Sequence, residues 1–137
     1  MKNILITGGA GLVGSVLTNG LMNKFNIRVL DIKKVEGVDS HTGDISNIDS
    51  IMPAFKGIDT VVHLAGDRRV HGDWNSILNN NIIGLYNIYE AARLSGVKRV
   101  VFASSQHATG GFYFVEPYSF INDGEYEKLP NDYKPLD

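Results

Sequence analysis

Directly after the apolar run Ile4–Ile6, the chain reads Thr-Gly-Gly-Ala-Gly-Leu-Val-Gly-Ser over residues 7–15, with four glycines inside eight positions. A strand that empties into a glycine-rich turn and then into a helix brings unpaired backbone N–H groups and the positive end of a helix dipole to one point. Such a point attracts phosphate. Gly9, Gly11 and Gly14 satisfy the spacing G-x-G-x-x-G, while Gly8, Gly11 and Gly14 satisfy the related G-x-x-G-x-x-G. Side chains at these places would block either a pyrophosphate or the packing of helix on strand. The flexibility of the loop is the cost of letting backbone approach a ligand.

The rest of the chain repeats the strand-then-helix alternation. Ile4–Ile6 suits a strand buried on both faces, and Val13, Val16, Leu17, Leu21 and Phe25 recur at helical spacing behind it. Gly20 is a blemish inside that helix, costing about 1 kcal/mol relative to alanine. IRVLDI from Ile27 predicts a second strand, and SHTGDI around His41 a short third one. A helix from Asn47 to Phe55 should close at Gly57, and DTVVHLAG from Asp59 predicts a fourth strand. Trp74, Leu78, Ile82, Leu85, Tyr89 and Ala92 mark one face of a long helix ending at Gly96, before a fifth strand in KRVVFASS from Lys98. Strands alternating with helices imply right-handed crossovers and an α/β fold, a doubly wound parallel sheet. After Ser105 the pattern fails. The remaining residues carry three prolines and no sustained period, and they read as loop. A sheet of this kind needs helices on both faces. Since none can be placed after the fifth strand, the sheet is expected to be truncated after about five strands.

Asp31 gives the glycine pattern its second component. It ends the second strand twenty residues after Gly11, where a carboxylate can accept hydrogen bonds from the ribose hydroxyls of an adenosine. A carboxylate there also repels a 2′-phosphate, so NAD is preferred over NADP. An aspartate at a strand end can equally cap a turn, but strand, glycines, helix and acid in this register favour a dinucleotide.

Composition removes other classes of function. With 13 basic and 15 acidic residues in 137, the net charge of −2 gives no reason to expect nucleic acid or an anionic membrane as partner. The absence of cysteine excludes disulfides and thiolate metal sites, is compatible with a reducing compartment, and makes the cytoplasm the default location. No stretch approaches the roughly 18 apolar residues of a membrane span. His41, His63 and His71 have no spacing that suits a metal, and none is expected. Asp67, Arg68 and Arg69 follow the fourth strand, where a cation could meet a substrate carboxylate. A solvated loop explains them equally well.

The stretches TGGAGLVGS, LDI, GDI, HLAG, NNIIGLYNIYEAAR and GVKRVVFASS together resemble the extended short-chain dehydrogenase/reductase family of NAD-dependent sugar epimerases, dehydratases and dehydrogenases, over residues 1 to about 105. RVVFASSQHATGGF further resembles uronate dehydrogenases. The resemblance implies a Rossmann-like NAD-binding domain over residues 1–105 and a loop-rich segment, 106–137, leading toward a catalytic helix. It implies that Asp44 binds the adenine amine with Ile45 alongside, and that Leu64, Ala65 and Gly66 line the cofactor. Gly8, Gly11, Leu12, Val13 and Gly14 at the helix start, Ile32 after the acid, and Asn81 from NIIG complete the cofactor set. As a bare residue Asp44 could instead cap the helix that begins near Asn47. Ser105 matches the catalytic serine, which helps hold the substrate oxygen. Ser104, Gln106 and His107 are implied as substrate contacts, with Gln106 standing where uronate dehydrogenases carry asparagine.

One element of the family pattern is missing. The family needs Tyr-x-x-x-Lys, a tyrosine acid/base with a lysine one helical turn later to lower its pKa. The residues four places after Tyr86, Tyr89, Tyr113, Tyr118, Tyr126 and Tyr133 are Glu90, Arg93, Pro117, Asn122, Pro130 and Asp137. The chain is therefore expected to be an amino-terminal fragment, inactive by itself, of an NAD-dependent oxidoreductase acting on a sugar or uronic acid. Alternatives are a sugar-nucleotide epimerase or dehydratase and, in another class, a non-catalytic dinucleotide-binding regulator. Self-association, as a homodimer or larger, is expected through the fifth strand and the long helix.

Overall fold

The β-branched run ahead of the glycines forms the central strand of a five-stranded, wholly parallel sheet. The strands are β1 (Asn3–Thr7), β2 (Asn26–Asp31), β3 (Asp39–Thr42), β4 (Thr60–His63) and β5 (Arg99–Phe102), in the order β3-β2-β1-β4-β5. The structure is a computed structural model that describes residues 1–69 and 71–134, with backbone alone for 106–109. It divides into two compact units, Met1–Ala103 and Ser104–Asp137. The sheet belongs to the first. Its order makes β1 the point from which connections leave in opposite directions, to β2 on one side and β4 on the other. In open sheets of this type ligands bind at the carboxyl ends of the strands flanking that point.

Alternation along the strands builds two cores. Leu5, Leu30 and Val61 face one way and pack with Ile45, Ile51, Phe55, Ile88 and Ala91. Ile4, Ile6, Ile27 and Val29 face the other way, against Leu17, Leu21 and Phe25. Phe55, Leu5, Ile6, Leu30 and Ile88 are completely buried, and removing each such side chain from water stabilises the fold by about 1.5–3 kcal/mol.

The helices depart from their expected faces in instructive ways. Helix α1 (Leu12–Leu21) turns Gly14 and Thr18 inward, with Leu17 and Leu21 against the core. Val13 and Val16, expected in that core, are 58% and 67% exposed. At 100° per residue they fall on the flanks and back of a helix whose inner face is set by Gly14. The segment after Asn47 is α2 (Ile48–Ile51) followed by a 3₁₀ turn, Met52–Phe55. Pro53 lacks the N–H that would continue an α-helix.

The long helix is three pieces: α3 (Trp74–Ile77), a π-helical segment Leu78–Ile83, and α4 (Gly84–Leu94). The wider π turns advance the phase, so a 3.6-residue stripe counted from Trp74 loses the core. Ala92 is buried as expected, but Gly84, Asn87, Ile88 and Ala91 form the rest of the buried face, while Trp74, Ile82 and Tyr89 are exposed. Gly57 and Gly96 close their segments with positive φ, as expected.

The second unit is not plain loop. It contains a 3₁₀ segment Gln106–Phe114, helix α5 (Tyr118–Asn122) and a 3₁₀ turn Tyr126–Lys128. Tyr118 packs edge-on against Phe112 and Tyr133. Elements of three to nine residues show too few turns for a sequence period to be visible.

Candidate functional site

The glycine loop is stitched on both sides to the neighbours of β1. Toward β2, the Gly8 amide donates to the Leu30 carbonyl at 2.8 Å and the Ala10 amide to Asp31 Oδ2 at 3.0 Å. Toward β4, a Cβ on Gly8 would stand 2.8 Å from the Ala65 nitrogen, and the φ of +72° at Gly8 is one that only glycine adopts without strain. A Cβ on Gly14 would lie 2.2 Å from the Gly8 carbonyl oxygen and 2.7 Å from the Gly9 Cα. The start of α1 is thus pressed against the turn that precedes it. Gly11, its N-cap, has no side chain to offer the first-turn amides, and that turn contains no acid. No side chain of the helix itself therefore caps these amides.

Asp31 is turned toward this loop. Its Oδ2 accepts from Ala10 and its Oδ1 from the Lys33 amide at 3.0 Å. Each carboxylate oxygen has a second lone-pair direction for a further donor. At the end of β3, Asp44 Oδ1 accepts from the Ser46 amide at 2.8 Å, and the Asp44 backbone exchanges two hydrogen bonds with the Ser50 hydroxyl. The helix cap near there is Asn47, whose Oδ1 accepts from Asp49 and Ser50. Asp44 therefore turns its own loop and does not cap α2. Ile45 is buried in the core, and its carbonyl accepts from Asn87 Nδ2 at 2.8 Å.

Beyond β4 the placement is equally constrained. Thr7 Oγ1 lies 2.7 Å from His63 Nδ1 and accepts the Leu64 and Ala65 amides, each at 3.2 Å. With both lone pairs occupied, the hydroxyl hydrogen is left for Nδ1, so the imidazole proton resides on Nε2. Burial pushes the His63 pKa down to about 4, keeping the ring neutral. His63 was not expected as part of the site. Its position inside an apolar strand, within HLAG, was the available signal.

Asn81, in the π-helical segment, clamps the next loop from both sides. Its Oδ1 accepts the Asp67 amide at 2.6 Å and its Nδ2 donates to the Asp67 carbonyl at 2.8 Å. Asp67, with a side chain 7% exposed, accepts from Arg69 and from the Ser76 hydroxyl. The Arg69 guanidinium, then the Ser76 hydroxyl and the Arg69 amide, hold the Asp67 carboxyl well below the usual carboxylate range.

Of the expected cofactor residues, Asp31 is the last residue of β2, and Gly8, Gly11, Leu12, Val13, Gly14, Ile32, Asp44, Leu64, Ala65 and Gly66 follow the carboxyl ends of β1 to β4. Asn81 reaches the same edge through its bonds to Asp67. Ser104 and Ser105 follow β5 in sequence and open the second unit. The side chains of Gln106 and His107 lie outside the described residues. No cluster of three or more histidine or acidic side chains able to hold a metal occurs among the described residues.

Comparisons with known proteins identify the family and the fold. A family model described as the NAD dependent epimerase/dehydratase family matches residues 4–129. L-arabinose 1-dehydrogenase (NAD(P)(+)) of Haloferax volcanii is 39% identical, covering 78% of this chain and 42% of its own length. Uronate dehydrogenase of Pseudomonas syringae pv. tomato is 40% identical, covering 82% of this chain and 42% of its own. The crystal structure of a mutant uronate dehydrogenase from Agrobacterium tumefaciens complexed with NAD superposes with a TM-score of 0.71 at 38% identity, covering 78% of this chain and 42% of that one. The chain spans about two-fifths of the length of these relatives.

Proposed function

The chain belongs to the NAD dependent epimerase/dehydratase family, and on that premise we propose that it is the nucleotide-binding part of an NAD-dependent oxidoreductase acting on a sugar or uronic acid. The observation that carries this reading is the Asp31 carboxylate reaching the Ala10 amide at 3.0 Å. That contact sets the acid beside a helix start that sits against its turn only because Gly14 has no Cβ. The cradle therefore fits a dinucleotide. Pyrophosphate would rest on the amides of Leu12 and Val13, with Gly11, whose own amide donates to the Gly8 carbonyl at 3.0 Å, leaving room for its approach; the adenosine ribose would rest on Asp31 with Ile32 beside it, and the adenine against Asp44 and the Ile45 backbone. Leu64, Ala65 and Gly66 would line the path toward the nicotinamide, and Asn81 would act on it by holding the Asp67 peptide.

The cofactor, when bound, accepts or returns a hydride. The chain's own contribution is orientation and selection. Ser105 holds the substrate oxygen that gains or loses a proton, with Ser104, Gln106 and His107 as substrate contacts. These 137 residues contain no Tyr-x-x-x-Lys, so hydride transfer by the segment alone should be negligible. In a uronate dehydrogenase the reaction moves hydride from C1 of an aldohexuronate to NAD and yields an aldarolactone. Residues 1–105 are the cofactor domain in this reading, and 106–137 lead toward the catalytic helix.

Calorimetric titration with NAD and NADP tests the cofactor assignment. Preference for NAD is expected, and a clear preference for NADP would contradict the role of Asp31. NADH formation from galacturonate by the full-length protein tests the reaction. Self-association belongs to the same proposal, supported by Val101 and Phe102 of the edge strand, which are 48% and 44% exposed, and by exposed Tyr86 and Tyr89. A monodisperse monomer in sedimentation would remove it. No helix among the described residues is long and apolar enough to cross a membrane, and the cysteine-free chain suits a reducing cytoplasm.

A further inference from the structure

We propose that Arg68 is a specificity-determining residue that selects sugars bearing an anionic group, a carboxylate or a phosphate, over their neutral counterparts. The inference rests on the sugar-oxidoreductase reading above.

Asp67, Arg68 and Arg69 are consecutive, and two of the three cancel. Arg69 Nε donates to Asp67 Oδ1 at 2.9 Å and Oδ2 at 3.0 Å, while its Nη2 bonds Asp67 and the Ser76 hydroxyl. The carboxylate they meet is almost entirely buried, and the Ser76 hydroxyl completes it. The ion pair needs no second cation. Arg68 is exposed and forms no hydrogen bond or ion pair among the described residues, so its guanidinium is the one of the two arginines here not bonded to a carboxylate.

The backbone beneath it is fixed on both sides. The Asp67 peptide is clamped by Asn81, and the Arg69 amide donates to Asp67 Oδ1 at 3.0 Å. An anchored backbone lowers the ordering cost of using the side chain between the anchors. Arg68 follows His63, the end of β4, by five residues, at the edge of the sheet that carries the glycine loop. A planar guanidinium with unused donors matches carboxylate and phosphate in bidentate fashion, and a neutral hydroxyl matches it poorly. Of the two cations sequence offers in this loop, the structure commits Arg69 to Asp67 and leaves Arg68 for a ligand.

The test uses the full-length protein that carries this chain, with NAD and three sugar classes: galacturonate, a hexose 6-phosphate, and neutral galactose or arabinose. Arg68→Ala should raise KM for the preferred anionic sugar roughly tenfold to a hundredfold, the loss of one charge-assisted contact. KM for neutral sugars and the Kd for NAD should stay unchanged, and Arg68→Lys should recover part of the loss. Whichever of uronate and phosphate loses more on Arg68→Ala identifies the anion. The proposal is overturned if Arg68→Ala leaves KM for both anionic sugars unaltered, or raises it equally for neutral ones. Those results leave the oxidoreductase reading standing. If no sugar yields NADH although NAD binds, both fall together.

Discussion

The Thr7 hydroxyl at the end of β1 and Nδ1 of His63 at the end of β4 lie 2.7 Å apart, both residues fully or almost fully buried. The pair joins two strands at the point where the chain connections diverge, directly beneath the glycine loop. Because the same hydroxyl also receives the Leu64 and Ala65 amides, three strand-end groups share one oxygen. The ring stacks against Phe102 of β5, with centroids 5.7 Å apart, which carries the tie across to the edge strand.

Stability should therefore fall in mild acid. The His63 pKa is lowered from 6.5 to about 4 by burial, so the unfolded chain binds the proton more readily than the folded one. The contribution is complete above pH 6.5 and is lost as pH falls toward 4. At about 1.4 kcal/mol per unit, the window is worth roughly 3 kcal/mol. Urea unfolding at several pH values, with His63→Gln as reference, should show the slope in the parent only.

Thr7→Val keeps the shape of the side chain and removes its hydroxyl. His63 Nδ1 and the Ala65 amide lose their partner, and a loss of about 1–3 kcal/mol is expected from stranded buried polar groups. Equal stability of the variant by chemical denaturation would show that the tie is not worth its geometry.

Two glycines of α1 should respond in opposite directions to alanine. At Gly14 the new Cβ meets the Gly8 carbonyl oxygen at 2.2 Å, so α1 must move off the loop. A cost of about 1–3 kcal/mol and loss of NAD binding in calorimetry are expected. At Gly20 nothing lies within 4 Å, and alanine should stabilise by about 0.5–1 kcal/mol. Thermal unfolding of the two variants side by side checks both signs.

Asp31→Asn tests the cofactor preference without removing the acceptor for the Ala10 amide. The amide oxygen can keep that bond, while the charge that repels a 2′-phosphate disappears. Affinity for NAD should weaken roughly tenfold, the loss of a charged acceptor, and affinity for NADP should rise. An unchanged ratio of the two affinities would remove Asp31 from the ribose site.

Much of this was legible in the chain itself. Ile4–Ile6, the glycine spacing and Asp31 are local patterns, and a buried parallel strand followed by a glycine turn has few other ways to be written. The helical faces were less legible. The π-helical turns at Leu78–Ile83 displace the stripe counted from Trp74, and the contact of Gly14 with Gly8 rotates Val13 and Val16 away from the core. Neither effect has a period of its own to be read.

The sequence by itself determined the order of strands and helices, the glycine turn and the acids that follow β2 and β3, because those depend on residues near one another along the chain. Only the tertiary structure decided that Thr7 meets His63 across 56 positions, that Asn81 clamps Asp67, and that Arg69 is consumed by a carboxylate while Arg68 is not. Such pairings are choices among competing partners of the same chemistry. They are settled by which strand ends and loops the packed sheet brings within hydrogen-bond distance.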